Sequence, residues 1–195
     1  MKAEADTQTL SSVFFASSNK NKFEEAKEIL SKFGISLKFF KCNLQEIQAD
    51  SLEEVAFHKA LDAFSRCSKP VIIEDDGLFI NSIKGFPGPY SSFTFKTIGN
   101  EGILKLVKSK RSATFQSVIA YCDKKDDVLL FKAEVKGKIS QKPVGKKWGY
   151  DPIFVPDGQT KTYAQIKEKN LVSHRYLAIK KFANWYLHKQ ESSDR

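Results

Sequence analysis

Apolar positions along the chain change period from one segment to the next, and the changes mark its elements. Ser12 to Ala16 is a short apolar run that predicts a strand, and Ser17-Ser18-Asn19-Lys20 follows it as a small polar loop. From Asn21 to Phe33, the residues Phe23, Ala26, Ile29 and Leu30 recur at helical spacing, and Gly34 supplies the stop. Leu37 to Cys42 predicts a second strand. Ser51-Leu-Glu-Glu54 has capping-box spacing and opens a helix to about Cys67, with Leu52, Val55, Ala56, Ala60, Leu61 and Phe64 on one face. Helical pieces are expected over Phe93–Ile98 and Gly102–Lys108, with Asn100 as a cap. Ala113–Tyr121 and Val128–Ile139 flank the turn Asp123–Asp127 and predict a long antiparallel hairpin, either a separate lobe or an extension of the sheet. Pro156-Asp-Gly158 marks a turn. Ser173 is the expected N-cap of a last amphipathic helix that buries Leu177, Ala178, Phe182, Trp185 and Tyr186. Residues 1–10 and 189–195 are expected to be flexible ends around a single domain, 11–188.

The stretch Val71 to Tyr90 (VIIEDDGLFINSIKGFPGPY) stands apart. Val71-Ile72-Ile73 suits a strand buried on both faces. Glu74, Asp75 and Asp76 follow without a break, and adjacent anions repel unless something cationic holds them. They fall where open α/β sheets bind ligands, at the carboxyl end of a strand. Strand alternation puts Glu74 and Asp76 on one face and Asp75 on the other. One ion could gather all three only if the strand ended at once, and Gly77 is the residue that would end it.

Composition narrows the class. The chain has 195 residues, 41% of them apolar, which is enough for one domain with a core. No apolar run approaches the ~18 residues of a membrane span, and the first residues are polar, without a signal core. A cytoplasmic protein with no membrane contact is the expectation. Cys42, Cys67 and Cys122 lie far apart and in no CxxC pair, so neither a zinc site nor a disulfide framework is expected. The net charge of +9 fits either a nucleic-acid backbone or a small polyanion. The lysines are spread along the chain, and no zinc finger, RNP motif or Arg-rich arm accompanies them. A stable nucleic-acid complex is therefore not expected, and the acidic cluster would repel a phosphate backbone.

The candidate chemistry follows from residue types. Carboxylates without convergent Cys or His favour a hard ion, Mg²⁺ above all, held by one or two carboxylates and by substrate phosphates. Asp75 and Glu46, the latter in the connection after the second strand, are the candidates. The loop after the first strand, with Lys22, Lys59 and Lys169, could bind phosphates, since a strand–loop–helix turn aims N–H groups at an anion. Trp148 could stack on a base. His174 and Arg175 could reach base edges. A cation in a helix first turn opposes the macrodipole, which argues for an anion beside Arg175.

Together these blocks resemble the inosine/xanthosine triphosphate pyrophosphatases. The resemblance rests on Ser17-Ser-Asn-Lys-Asn-Lys-Phe-Glu-Glu25, on Glu74 to Tyr90, and on Trp148-Gly-Tyr-Asp-Pro-Ile-Phe154 with Ser173-His-Arg175, in family order and spacing from about Val13 to Tyr186. It implies an α/β fold with a two-lobed mixed sheet flanked by helices, a cleft between the lobes, and usually a homodimer. It implies Mg²⁺-dependent hydrolysis of ITP, dITP and XTP to the monophosphate and pyrophosphate. By position, Ser17, Ser18, Asn19, Lys20, Asn21 and Lys22 would cradle phosphates, with Lys59 and Lys169 as further phosphate ligands. Glu46 and Asp75 would hold the metal, and Asp75 would also be the general base. Trp148, Gly149, Tyr150, Asp151, His174 and Arg175 would form the base pocket. The chain departs from the family pattern at three positions. Asp76 stands where Ser or Thr is usual and takes that residue's place at the substrate. Ser92 stands where many members have Arg or Lys, and Trp148 replaces Phe. These departures leave a shifted base preference open.

Overall fold

A computed structural model describes residues 12–193. Strand β1 (Ser12–Ser17) leads through helix α1 (Lys20–Ser31) to β2 (Ser36–Lys41), which pairs with β1 in parallel. Helix α2 (Leu52–Cys67) then leads to β3 (Val71–Ile80), parallel to β1 on its other side. The Ser51 side chain accepts from the Glu54 N–H at 3.2 Å, as the spacing predicts. After the short strand β4 (Pro87–Gly88) come helices α3 (Ser91–Thr97) and α4 (Gly99–Leu106). Strands β5 (Ser112–Lys124) and β6 (Asp127–Ile139) form the hairpin, β7 (Phe154–Pro156) adds to β6, and α5 (His174–Ser193) closes the order. The sheet has seven strands in the order β2-β1-β3-β5-β6-β7, with β4 set against β3.

The hairpin extends this sheet and is no separate body: β5 runs antiparallel to the whole of β3, from Val71 opposite Cys122 to Ile80 opposite Ala113. Burial then divides the sheet lengthwise. At one end, α1 and α5 cover Phe15, Ile72, Ile119 and Tyr121, while α2 covers Val71, Ile73, Val118 and Ala120 on the opposite face. At the other end, Leu78, Ile80, Phe115, Ile139, Phe154 and Tyr163 form a second cluster with Ile103 of α4. Strands β3 and β5 therefore run from one core into the other.

Several local expectations change. Asn100 lies inside α4 and does not cap it, because Gly99 at φ +60° makes the break between α3 and α4 earlier than expected. The tail expected to fray from Lys189 is helical through Ser193; the expectation for residues 1–10 lies outside the described residues, as do 194 and 195. Most important, β3 does not end at Gly77. A Cβ built there would stand 2.5 Å from the carbonyl oxygen of Gly88, since β4 pairs at Leu78 opposite Gly88. Gly77 is required by this close backbone approach inside a continuing strand. Gly77→Ala is expected to destabilise the protein by about 1–3 kcal/mol by forcing β4 away, which urea unfolding would read as a lowered midpoint.

The continuing strand creates the cleft. On its β1 side, β3 is paired only at Val71 and Ile72, and β4 takes over at Leu78. Between them the edge from Ile73 to Gly77 has no strand partner. Buried backbone groups must be satisfied somehow, and side chains do it here. Lys22 Nζ donates to Glu74 O at 3.4 Å, the Asp76 N–H to Asp75 Oδ1 at 3.2 Å, and the Leu78 N–H to Ser91 Oγ at 2.9 Å.

Candidate active site

A cleft of about 380 Å³ opens on that unpaired edge. Because β3 stays extended through its three acids, alternation sends them to opposite faces. Asp75 points toward α2, where Lys59 Nζ lies 3.1 Å from Asp75 Oδ2 and 2.9 Å from Glu46 Oε2. Glu74 and Asp76 point toward α1 and α5, where Lys22 Nζ meets Glu74 Oε2 and Asp76 Oδ1, each at 2.9 Å. A single three-acid cluster is thus ruled out by the strand that carries it.

The Asp75 face brings two carboxylates onto one cationic point, the Lys59 ammonium. Among the described residues no group of three or more His, Cys, Asp or Glu forms a complete metal cage. Two carboxylates at the rim of an open cleft suit a hard divalent ion that takes its other ligands from water and phosphate. The Lys59 ammonium marks where positive charge is held. Burial raises the Asp75 carboxyl to about 6, against the pull of Lys59 and Lys22, with Asp76 and Glu46 adding to the rise.

The opposite face is a buried ionic lattice. Arg175, fully buried in the first turn of α5, donates to Glu25 and to Asp76, and its Nε approaches Glu74 Oε1 at 3.2 Å without hydrogen-bond alignment. The anion that a cation at a helix start requires is therefore present three times. Ser117 Oγ donates to Glu74 Oε1 at 2.8 Å. Lys169, also buried, pairs with Asp151 at 2.7 Å and with Glu25 at 3.5 Å. Burial disfavours the charged form of Lys22, yet Asp76 and Glu74 outweigh it and hold that amine above its ordinary pKa. Lys22 and Arg175 likewise hold Asp76 well below the carboxylate range. Asp151 is pushed up by burial in spite of Lys169.

Aromatic rings line the inner end. Trp148 Nε1 donates to Glu25 Oε1 at 3.0 Å, with Lys169 Nζ 5.4 Å and Arg175 Cζ 5.1 Å from its ring. His174 stacks on Phe115 with centroids 4.1 Å apart and planes at 4°. Among the described residues neither of its ring nitrogens has a hydrogen-bond partner, and Nε2 stands 3.7 Å from Asp76 Oδ2. Burial lowers the His174 pKa against the pull of Asp76. A buried neutral imidazole with both nitrogens unused, lining a cleft, has a donor and an acceptor left for a ligand. The Tyr150 hydroxyl donates to Ser91 O at 3.0 Å, and Gly149 O accepts from Asn100 at 3.1 Å.

Of the residues singled out from the sequence, all but Lys20 line this one cleft. Lys20 is exposed and does not line it. The Asn19 side chain accepts from the N–H groups of Asn21 and Lys22 at 3.0 and 3.3 Å, so two N–H groups expected to face phosphate are capped internally. Ser92 and Lys96 also face the cleft. Sequence reasoning missed Glu25, Ser117 and Phe115. Glu25 carried a signal, since it sits three residues after Lys22 on one helix face. Ser117 and Phe115 are ordinary strand residues and carried none.

The Ham1 family model matches residues 13–185. A dITP/XTP pyrophosphatase of Methanopyrus kandleri is 45% identical over 179 residues, 89% of this chain and 95% of that one. A second, from Thermococcus kodakarensis, is 44% identical over 88% of this chain and 95% of its own. Among solved structures, a HAM1 protein from Coxiella burnetii superposes with a TM-score of 0.78 at 28% identity, covering 91% of this chain and 98% of that chain. The Staphylococcus aureus Ham1 protein gives 0.70 at 25% identity, covering 92% and 100%.

Proposed function

The chain belongs to the Ham1 family, and from that premise we propose that it hydrolyses the non-canonical purine nucleoside triphosphates ITP, dITP and XTP to the monophosphate and pyrophosphate. The observation that carries this reading is the division of the cleft by β3. One face offers paired carboxylates and a lysine, and the other offers rings and buried cations.

The triphosphate belongs at the first face, where Glu46 and Asp75 are the residues that would hold Mg²⁺. When bound, the ion supplies positive charge to the pyrophosphate oxygens as negative charge accumulates there. Water attacks the α-phosphorus, the bond from that atom to the bridging oxygen breaks, and pyrophosphate leaves. Asp75, raised to about 6, suits a base that accepts the water's proton near neutral pH. Lys59 on this face, and Lys22 across the β3 edge where it donates to Glu74 O, line the same cleft and lie where they can meet phosphate oxygens. At the second face Trp148 flanks the base, and His174 and Arg175 present donors to a 6-keto group. Adenine, with an amino donor there, would leave those donors unpaired.

A homodimer in the cytoplasm completes the proposal. The exposed apolar series Phe86, Tyr90, Phe93 and Ile98 around β4 and α3 supports the dimer, and among the described residues no helix is long and apolar enough to cross a membrane. Pyrophosphate release with Mg²⁺ is expected to be at least about tenfold faster from ITP, dITP and XTP than from ATP and GTP at equal concentration. Equal rates across that panel would overturn the base assignment.

A further inference from the structure

Lys22 already faces two carboxylates before any substrate arrives. Its ammonium forms ion pairs with Glu74 Oε2 and Asp76 Oδ1, each at 2.9 Å, and donates to Glu74 O at 3.4 Å. A phosphate that pairs with this lysine competes with the carboxylates already there.

The three acceptors are not equally held. The Glu74 side chain is completely buried and is fixed by Ser117 Oγ at 2.8 Å and by Arg175. Its carbonyl oxygen belongs to the backbone of β3. Asp76 also accepts from Arg175, but it keeps 17% of its side chain open and lines the cleft, so its carboxylate can turn from Lys22 while the Arg175 contact stays. It is also the surplus anion. Glu74 and Glu25 already face Lys22 and Arg175, two acids for two cations, while Lys169 has Asp151. Asp76 adds a third carboxylate to a pair that is balanced without it.

We propose that Asp76 is a built-in competitor of the substrate, its carboxylate holding the anion position on Lys22 until a phosphate displaces it. This rests on the reading of the cleft as a nucleoside triphosphate site. Asp76 acts through Lys22 and is a positioning residue. Each Lys22–phosphate contact replaces a Lys22–carboxylate contact of the same kind, so binding is an exchange and the affinity for substrate is lowered.

The test uses Asp76→Ser and Asp76→Asn in the full chain, each also combined with Lys22→Met. Calorimetric titration with inorganic tripolyphosphate is expected to give a Kd about tenfold lower for Asp76→Ser, as expected for removal of one competing carboxylate from a part-buried ion pair. Asp76→Asn, of the same size but uncharged, is expected to move in the same direction. KM for ITP should fall by more than kcat changes, a split that a merely structural role would not produce. In the Lys22→Met background the gain should vanish. Unchanged or weaker tripolyphosphate binding in both Asp76 variants would overturn the proposal, as would a gain that persists without Lys22. Failure of the wild-type protein to release pyrophosphate from ITP would instead strike the functional reading, and the tripolyphosphate titration separates the two.

Discussion

Asp75→Asn is expected to lower turnover of ITP by about 10³-fold, within the range for loss of a positioned acid–base group, while the protein stays folded. Asn keeps the size of the side chain but can neither accept the water's proton nor offer a full charge to a divalent ion. Pyrophosphate release at saturating ITP measures the effect, and activity within tenfold of the wild type would remove Asp75 from the mechanism. The same variant reports on the carboxyl's environment. In metal-free protein, burial first, with Lys59 and Lys22 opposing, lifts this group from 3.8 to about 6. A group raised in the folded state contributes stability that is complete below its unfolded value and is lost as pH rises through its folded value. Between pH 4 and pH 7 the wild type should therefore lose up to about 3 kcal/mol from this group alone, and Asp75→Asn should not. With EDTA present, the stability difference between variant and wild type is expected to grow in the variant's favour over that interval. A difference that stays flat with pH would show that Asp75 ionises as an exposed carboxylate does.

That contrast explains what could be read from the chain before its structure. The apolar periods of β1, α1, α2 and the hairpin were legible because each element buries one face against a neighbour, and burial is what the period records. The Ser51 cap and the last helix start at Ser173 were legible for a similar reason, since a side-chain oxygen must meet a free N–H, and Ser173 Oγ accepts from Tyr176 N at 3.1 Å. The three adjacent acids were visible, but their division was not decided. It depended on whether β3 continued past Asp76, and that is set by β5 pairing along its whole length and by β4 approaching Gly77. Both are contacts between residues distant in sequence. The same limit hid Glu25. Nothing near it in the chain shows that Arg175, Lys169 and Trp148 all converge on its carboxylate.

Arg175→Met is expected to be the most destabilising single change at the site, by about 3–5 kcal/mol, as when one partner of a buried ion pair is removed. Met fills much of the same volume, so the loss is electrostatic more than steric. Glu74 would keep only Ser117 and Lys22, Asp76 only Lys22 and the unaligned His174, and Glu25 only Lys169 and the indole of Trp148. For a chain of this length, Tm should fall by roughly 10 °C. Arg175→Lys keeps a charge but cannot serve three carboxylates with one planar fork, so it should recover part of the loss only. The decisive measurement is a double-mutant cycle with Asp76→Asn. In the wild-type background, removing the Asp76 charge breaks its contacts to Lys22 and Arg175. Without Arg175, the same removal relieves a carboxylate that has lost its guanidinium. The two effects of Asp76→Asn should therefore differ by more than about 1 kcal/mol, the size expected of residues in one network. Additive effects would mean that Arg175 is held by Glu25 and Glu74 alone, and that Asp76 faces the cleft free to leave Arg175 as well as Lys22.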